Sequence, residues 1–375
     1  SSGQTDTADI TPAALTITAG DQFKTYGDTF TFDGDEFTTS TMVGSESVAS
    51  ATFTVASSAD STTTANAGTY AITPSAASGA SGTNLNNYSI TYVDGTLTVG
   101  KRTLTAILTG STTKTYDGTT SATLTSSNYS LSNLVTGDSI SVSETSATFD
   151  NKNTGTGKTV TANLASDEFI AASGTSLSNY TLPTGNVSGA IGEVTKLSLT
   201  VTAVNDAKFV TQSDTSNFGG VLYSGFLGGE DASSLITAAE LIVGTVTRSN
   251  SSTEVAGSYS SVLVPVSFTA TNYDITTVNG DFTIIPAEQL YVELTPADTT
   301  YGMTVDYSPS LSVTYLDSGS NSIVDLTGST SLSDNTFSVN DGLGTTATFD
   351  VIADSGTYSV SNNLNVGDYN LTSDN

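Results

Sequence analysis

Any chemistry in this chain must come from oxygen and amine groups. Its 375 residues include no cysteine and no histidine. That removes thiolate nucleophiles, imidazole bases and the usual ligands of zinc. Carboxylates and a few lysines remain. Phe32-Asp33-Gly34-Asp35-Glu36 sets three carboxylates around a glycine, and calcium takes its oxygen ligands from loops of this kind. Asp33, Asp35 and Glu36 are therefore candidate calcium ligands, although an EF-hand needs more ligands and a distal glutamate. Gly137-Asp138, Gly229-Glu230-Asp231 and Asn340-Asp341-Gly342 are similar acidic turns. The competing reading is that all of them are solvated loops. No cofactor is required by any of them.

Lys24, Lys114 and Lys208 recur at related places. A lysine beside an asparagine and a carboxylate can form an intramolecular isopeptide bond in some β-sandwich proteins, but no carboxylate recurs at a matching strand position. Paired carboxylates can also hydrolyse glycosides. Without histidine, tryptophan or a cleft-forming insertion, nothing assembles such a site. A Ser–Lys nucleophile would need one serine singled out from many. The chain is expected not to be an enzyme.

The elements that would position these groups are strands. Leu15, Ile17 and Ala19 alternate with threonine, the period of a half-buried strand. The run leads into Lys24-Thr25-Tyr26-Gly27-Asp28. Leu104–Leu108 leads in the same way into Lys114-Thr115-Tyr116-Asp117-Gly118-Thr119-Thr120. Leu197–Ala203 precedes Lys208-Phe209, and Leu290–Leu294 precedes Thr300-Tyr301-Gly302. The period is about 90 residues, as in a tandem array. Each of the first three units closes on Asn-Tyr (Asn87-Tyr88, Asn179-Tyr180, Asn272-Tyr273), and the fourth on Asp368-Tyr369. Asp94-Gly95 and Asn279-Gly280, each between alternating runs, predict hairpins. Asn151–Lys158 reads as a loop, and Glu230–Leu241 as the one short helix.

The expected organisation is a tail at residues 1–12 and repeats at 13–100, 101–195, 196–286 and 287–375. The joins at Gly100, Thr195 and Pro286 have no flexible linker between them. The expected fold is all-β: four small sandwich-like repeats of about seven strands each. The alternative is a β-grasp-like unit with one helix. The fourth repeat lacks the final strand of the others, so the chain is expected to be a slice of a longer array. On that expectation Asn375 is an artificial boundary and the fourth repeat the least stable. Ala8–Thr11 would then be the last strand of an upstream unit, able to fill a neighbour's gap by head-to-tail self-association.

Composition limits partners. With 37 acidic and 9 basic residues the net charge is -28, which repels nucleic acid and anionic membrane surfaces. No apolar run reaches the roughly 18 residues of a membrane-spanning helix, so membrane insertion is not expected.

The Lys-Thr-Tyr-Gly-Asp openings and the Asn-Tyr closings followed by Gly-x-Leu-x-Val resemble MBG repeats. Lys114–Thr120 is similar to the related YDG repeat. Such repeats tile the stalks of large bacterial adhesins of the filamentous-haemagglutinin type. The resemblance implies a stalk or spacer at the bacterial cell surface, supporting attachment or biofilm cohesion, with no catalytic residue. The alternative is a carbohydrate- or matrix-binding module, for which an exposed row of tyrosines would be needed. The expected partners are neighbouring repeats and a host, matrix or polysaccharide ligand of unknown identity.

Overall fold

A computed structural model of the protein describes Gly3 and residues 6–294, 311–333, 336–340, 346–353 and 371–374. The chain divides into two compact parts, Ser1–Lys196 and Leu197–Asn375, and each is taken by itself. No described helix is long and apolar enough to cross a membrane.

Repeat 1 is a sandwich of two sheets. One has the order Phe37–Thr39, Ala13–Ala19, Tyr88–Val93. The other has the order Gln22–Thr25, Gly95–Gly100, Gly68–Gly79, Val48–Val55. Alternation explains the packing. Leu15 and Ile17 point inward from the opening strand and cluster with Tyr88 of the same sheet and with Val48 and Ala77 of the facing sheet. Each sheet holds one parallel pair. The opening strand Ala13–Ala19 runs parallel to the closing strand Tyr88–Val93, with Leu15 opposite Ile90. The signature strand Gln22–Thr25 runs parallel to the last strand Gly95–Gly100, with Lys24 opposite Val99.

The hairpin expected at Asp94-Gly95 does not form. The strands on either side of Asp94 pair in different sheets, so the chain crosses the sandwich there. The glycine is needed for close approach instead. A Cβ on Gly95 would lie 2.6 Å from the Ala19 carbonyl oxygen. Asn279-Gly280 is the same crossing in repeat 3, where a Cβ would lie 2.7 Å from the Ala203 carbonyl oxygen.

Repeat 2 keeps both parallel pairs. Arg102–Thr103 runs beside Tyr180–Thr181, and Thr112–Thr115 beside Gly185–Thr195. Its larger sheet has five strands. The loop expected at 151–158 is shorter, because the long strand Gly155–Leu164 already begins at Gly155.

In the second part, repeat 3 follows the plan of repeat 1. Leu197–Ala203 is parallel to Tyr273–Val278, and Asp206–Phe209 to Gly280–Ile285. The expected helix shrinks to Ala232–Thr237. The Asp231 carboxylate accepts from Ser234 N and caps its start. Ala239 turns to φ 57 just past its end, and Leu241 begins a strand. So short a helix does not cover a sheet. Instead Ala203 packs against Val246, Leu263, Phe282 and Ile284 of the facing sheet, which makes a sandwich rather than a β-grasp unit.

Repeat 4 differs. Its described strands form an antiparallel three-stranded sheet, Leu290–Leu294, Leu311–Asp317 and Ser322–Asp325. They also form an antiparallel four-stranded one, Thr330–Ser333, Thr336–Asn340, Thr346–Ala353 and Leu371–Asp374. Leu311, Val313, Leu326, Phe337, Val339 and Phe349 make its core. Tyr301-Gly302, Asp341-Gly342, Asp368-Tyr369 and the boundary at Asn375 lie outside the described residues.

Candidate functional site

The recurring lysines are knots that tie loops to the sandwich. Lys24 is buried, and its amine donates to the backbone oxygens of Asp28 at 3.0 Å and Thr62 at 2.7 Å. Burial lowers its pKa, and nearby Asp60 and Asp28 only partly oppose this. Lys114 pairs with Asp117 at 2.7 Å and donates to the Thr119 carbonyl at 2.7 Å. Lys208 lies 2.8 Å from Asp214 and 2.5 Å from Glu254, and Arg248 bridges the same two carboxylates. Burial opposes charge on Lys208, but its two carboxylate bonds outweigh that and raise its pKa. Asp214 is held low because its cations outweigh its own burial. An isopeptide bond needs a neutral amine and a protonated acid. The Lys208 cluster holds both in the opposite state.

Another set of polar groups converges where repeat 1 meets repeat 2. Tyr26 continues the signature strand, its N–H bonded to Gly100 O at 2.9 Å, and its ring enters the next repeat. It meets Tyr180 edge-on at 5.4 Å between centroids. Both hydroxyls donate to Asp138 Oδ2, Tyr26 at 2.9 Å and Tyr180 at 2.5 Å. Val135 N–H donates to the Tyr180 hydroxyl at 3.0 Å. Arg102 clamps the rim through the Tyr26 carbonyl at 3.1 Å and Asp28 at 3.0 Å. Asn179 reaches back into repeat 1. It accepts from Ala67 N and donates to Asn66 Oδ1, each at 2.9 Å.

Local sequence explains the fit. Gly27 sits at φ +92, and a Cβ there would come 2.4 Å from Val135 Cγ2. Glycine thus supplies both the left-handed turn and the space for Val135. Burial first, then the Asp138 contact, raises both phenols, and Tyr180 is pushed to about 12. Both stay neutral donors at ordinary pH.

The receiving half of this joint recurs. In repeat 1 the Tyr88 hydroxyl donates to Glu46 Oε2 and accepts from Val43 N–H. In repeat 3 the Tyr273 hydroxyl donates to Glu230 and accepts from Leu227 N–H. In all three, the acid's own N–H returns to the carbonyl three residues earlier, at Val43, Val135 or Leu227.

Repeat 3 meets repeat 4 through carbon instead. Phe209, Ile285 and Leu316 form one buried cluster with Ala207, Val210, Ala287 and Tyr291 around it. The Phe209 and Tyr291 rings lie edge-on at 6.1 Å.

The three acidic residues singled out for calcium are not brought together. Asp33 and Asp35 are exposed. Glu36 turns back and spends its oxygens on Asp33 N at 2.7 Å and Gly34 N at 2.9 Å. Burial pushes its pKa up, but these backbone bonds outweigh it and hold the carboxyl below its usual value. Among the described residues no group of three acidic side chains is placed to hold a metal. Two of the other acidic turns, at Asp138 and Glu230, bind tyrosine hydroxyls instead.

Sequence reasoning missed Glu46, Val43, Asp138 and Val135 as one device. The available signal was two apolar residues followed three positions later by an acid: Met42-Val43-Gly44-Ser45-Glu46, Leu134-Val135-Thr136-Gly137-Asp138 and Phe226-Leu227-Gly228-Gly229-Glu230.

Family comparison matches the same three repeats. Residues 15–98 and 199–283 match the MBG domain (YGX type), and residues 100–189 match the YDG domain. No curated protein matches the chain.

Proposed function

We propose, since this chain belongs to the MBG and YDG repeat families, that it is a mechanical spacer. It would form the stalk of a large bacterial surface adhesin and support cell attachment or biofilm cohesion outside the cell. One observation carries the reading: repeats 1, 2 and 3 each hold two parallel strand pairs, which lie in different sheets. Tension enters a repeat at the start of its opening strand and leaves at the end of its last strand. The opening strand is drawn backward along the closing strand, and the last strand forward along the signature strand. Both pairs are then sheared along their length, so their hydrogen bonds are loaded together rather than one after another. The joints support the same role, because Tyr26 carries repeat 1 into repeat 2, and Phe209 repeat 3 into repeat 4, without a linker.

The reading assigns no catalytic residue and needs no cofactor. A carbohydrate- or matrix-binding role would call for exposed tyrosines, and every described tyrosine is buried or half-buried. The test is a length-preserving exchange. Residues 13–285 of the surface protein would be replaced by an unrelated β-repeat array of equal length. Attachment should persist. Attachment lost despite normal display would mean that these repeats bind the ligand themselves.

A further inference from the structure

The tyrosine socket in repeat 2 is filled by repeat 1, and repeat 1 carries the same socket at its own leading end. Tyr88 opposite Ala13 and Tyr180 opposite Arg102 align the two repeats. On that alignment Glu46 stands for Asp138, Val43 for Val135, Asn87 for Asn179 and Ile10 for Val99. The inner half of the device is already assembled, with Tyr88 bonded to both Glu46 and Val43 N–H.

What differs is cover. Asn179 is 1% exposed beneath repeat 1, whereas Asn87 is exposed. Val135 is half-buried against Gly27, whereas Val43 is 63% exposed. Val99 is 2% exposed inside a sheet, whereas Ile10 is 91% exposed in residues that form no strand. Three positions that the filled joint covers are open together around a carboxylate that already holds one phenol. Asp138 shows that one carboxylate oxygen in this place can take two phenols.

We infer that the leading end of repeat 1 is a docking socket for the signature tyrosine of another repeat of this kind. The occupant is a β-repeat whose signature strand runs out in Lys-Thr-Tyr, the tyrosine's ring lying against Tyr88 and its hydroxyl donating to Glu46. Val43 packs on the glycine that follows that tyrosine. Residues 8–11 supply the occupant's last strand, with Ile10 entering its core as Val99 enters that of repeat 1. The inference rests on reading the repeat 1–repeat 2 joint as the working site.

The experiment uses the full chain with a copy of residues 13–100 placed directly before Pro12, the counterpart of Lys101. Hydrogen exchange is followed at residues 42–47. Exchange there should slow about tenfold relative to the unextended chain, as gaining one net hydrogen bond and its cover would produce. It should return to the unextended rate when the added copy carries Ala in place of its Tyr26. If the added copy does not fold, a copy of residues 101–195 carrying Asp117→Gly, in which Tyr116 is followed directly by glycine, takes its place. Exchange at 42–47 that ignores a folded extension overturns the inference. Tyr26→Phe in the unextended chain separates the two readings, because it must speed exchange at residues 134–138. If it does so while the extension protects nothing, the socket fails and the joint stands. If it does not, the joint itself was misread.

Discussion

Two joints in this chain solve one problem with different chemistry. Between repeats 1 and 2 the contact is polar and directional: two phenols on one carboxylate, an arginine clamp and an asparagine reaching back. Between repeats 3 and 4 it is an apolar cluster around Phe209 and Leu316. A hydrogen-bonded joint fixes angle and register, because its donors and acceptors tolerate little displacement. An apolar joint contributes more through burial but has less directional preference. The comparison shows that successive β-repeats of one chain can be joined either by directed polar contacts or by burial of carbon.

The largest effect should come from the apolar joint. Phe209→Ala removes a buried ring and leaves a cavity, at a cost of about 3–5 kcal/mol. Hydrogen exchange should accelerate in Asp206–Phe209 and Leu311–Asp317 and stay unchanged in repeat 1. Equal acceleration in both parts would erase the distinction between the joints.

Asp138→Ala takes the acceptor from two tyrosines at once, and a loss of about 1–3 kcal/mol is expected for the donors left behind. Exchange at residues 134–138 reports it, with repeats 3 and 4 unaffected.

Alkali should order the joints. Tyr180 is raised from 10 to about 12, so the neutral phenol is favoured in the fold. Its contribution is complete below pH 10 and is lost as pH rises through about 12. Tyr291, at the apolar joint, is pushed still higher, mainly by burial. Tyr129 inside repeat 2 also rises to about 12 and adds to the loss in the first part. For every raised phenol the loss begins as pH passes 10, and the first part holds Tyr26, Tyr88, Tyr129 and Tyr180 against Tyr223 and Tyr291 among the described residues of the second. Proteolysis during denaturant titration, at about pH 9 and about pH 12, should therefore show the first part weakening more than the second.

Calcium should do least. Glu36 is committed to its own turn, and neither joint gathers a ligand set, so melting in chelator and in excess calcium should coincide. A rise with calcium would show binding to the folded state.

Strands were the most legible feature, because alternation in Leu15-Thr16-Ile17 or Leu199-Thr200-Val201 records which face is buried. Asp94-Gly95 misled because a glycine chosen for close approach looks the same as one chosen for a turn. The Glu230–Leu241 helix was overdrawn because composition does not show where Ala239 reverses φ. The joint was least legible. Tyr26 and Asp138 are 112 residues apart, and each alone reads as a rim tyrosine or an acidic turn. Only the fold brings them to one oxygen.

The central claim is that the repeats with parallel pairs resist tension. Stretching single chains by their ends tests it directly. Each matched repeat should yield as a separate high-force event, followed by release of about 300 Å of chain. Repeat 4, whose described pairs are all antiparallel, should open first and at lower force. Repeats 1 to 3 unravelling smoothly, at or below the force that opens repeat 4, would contradict the account.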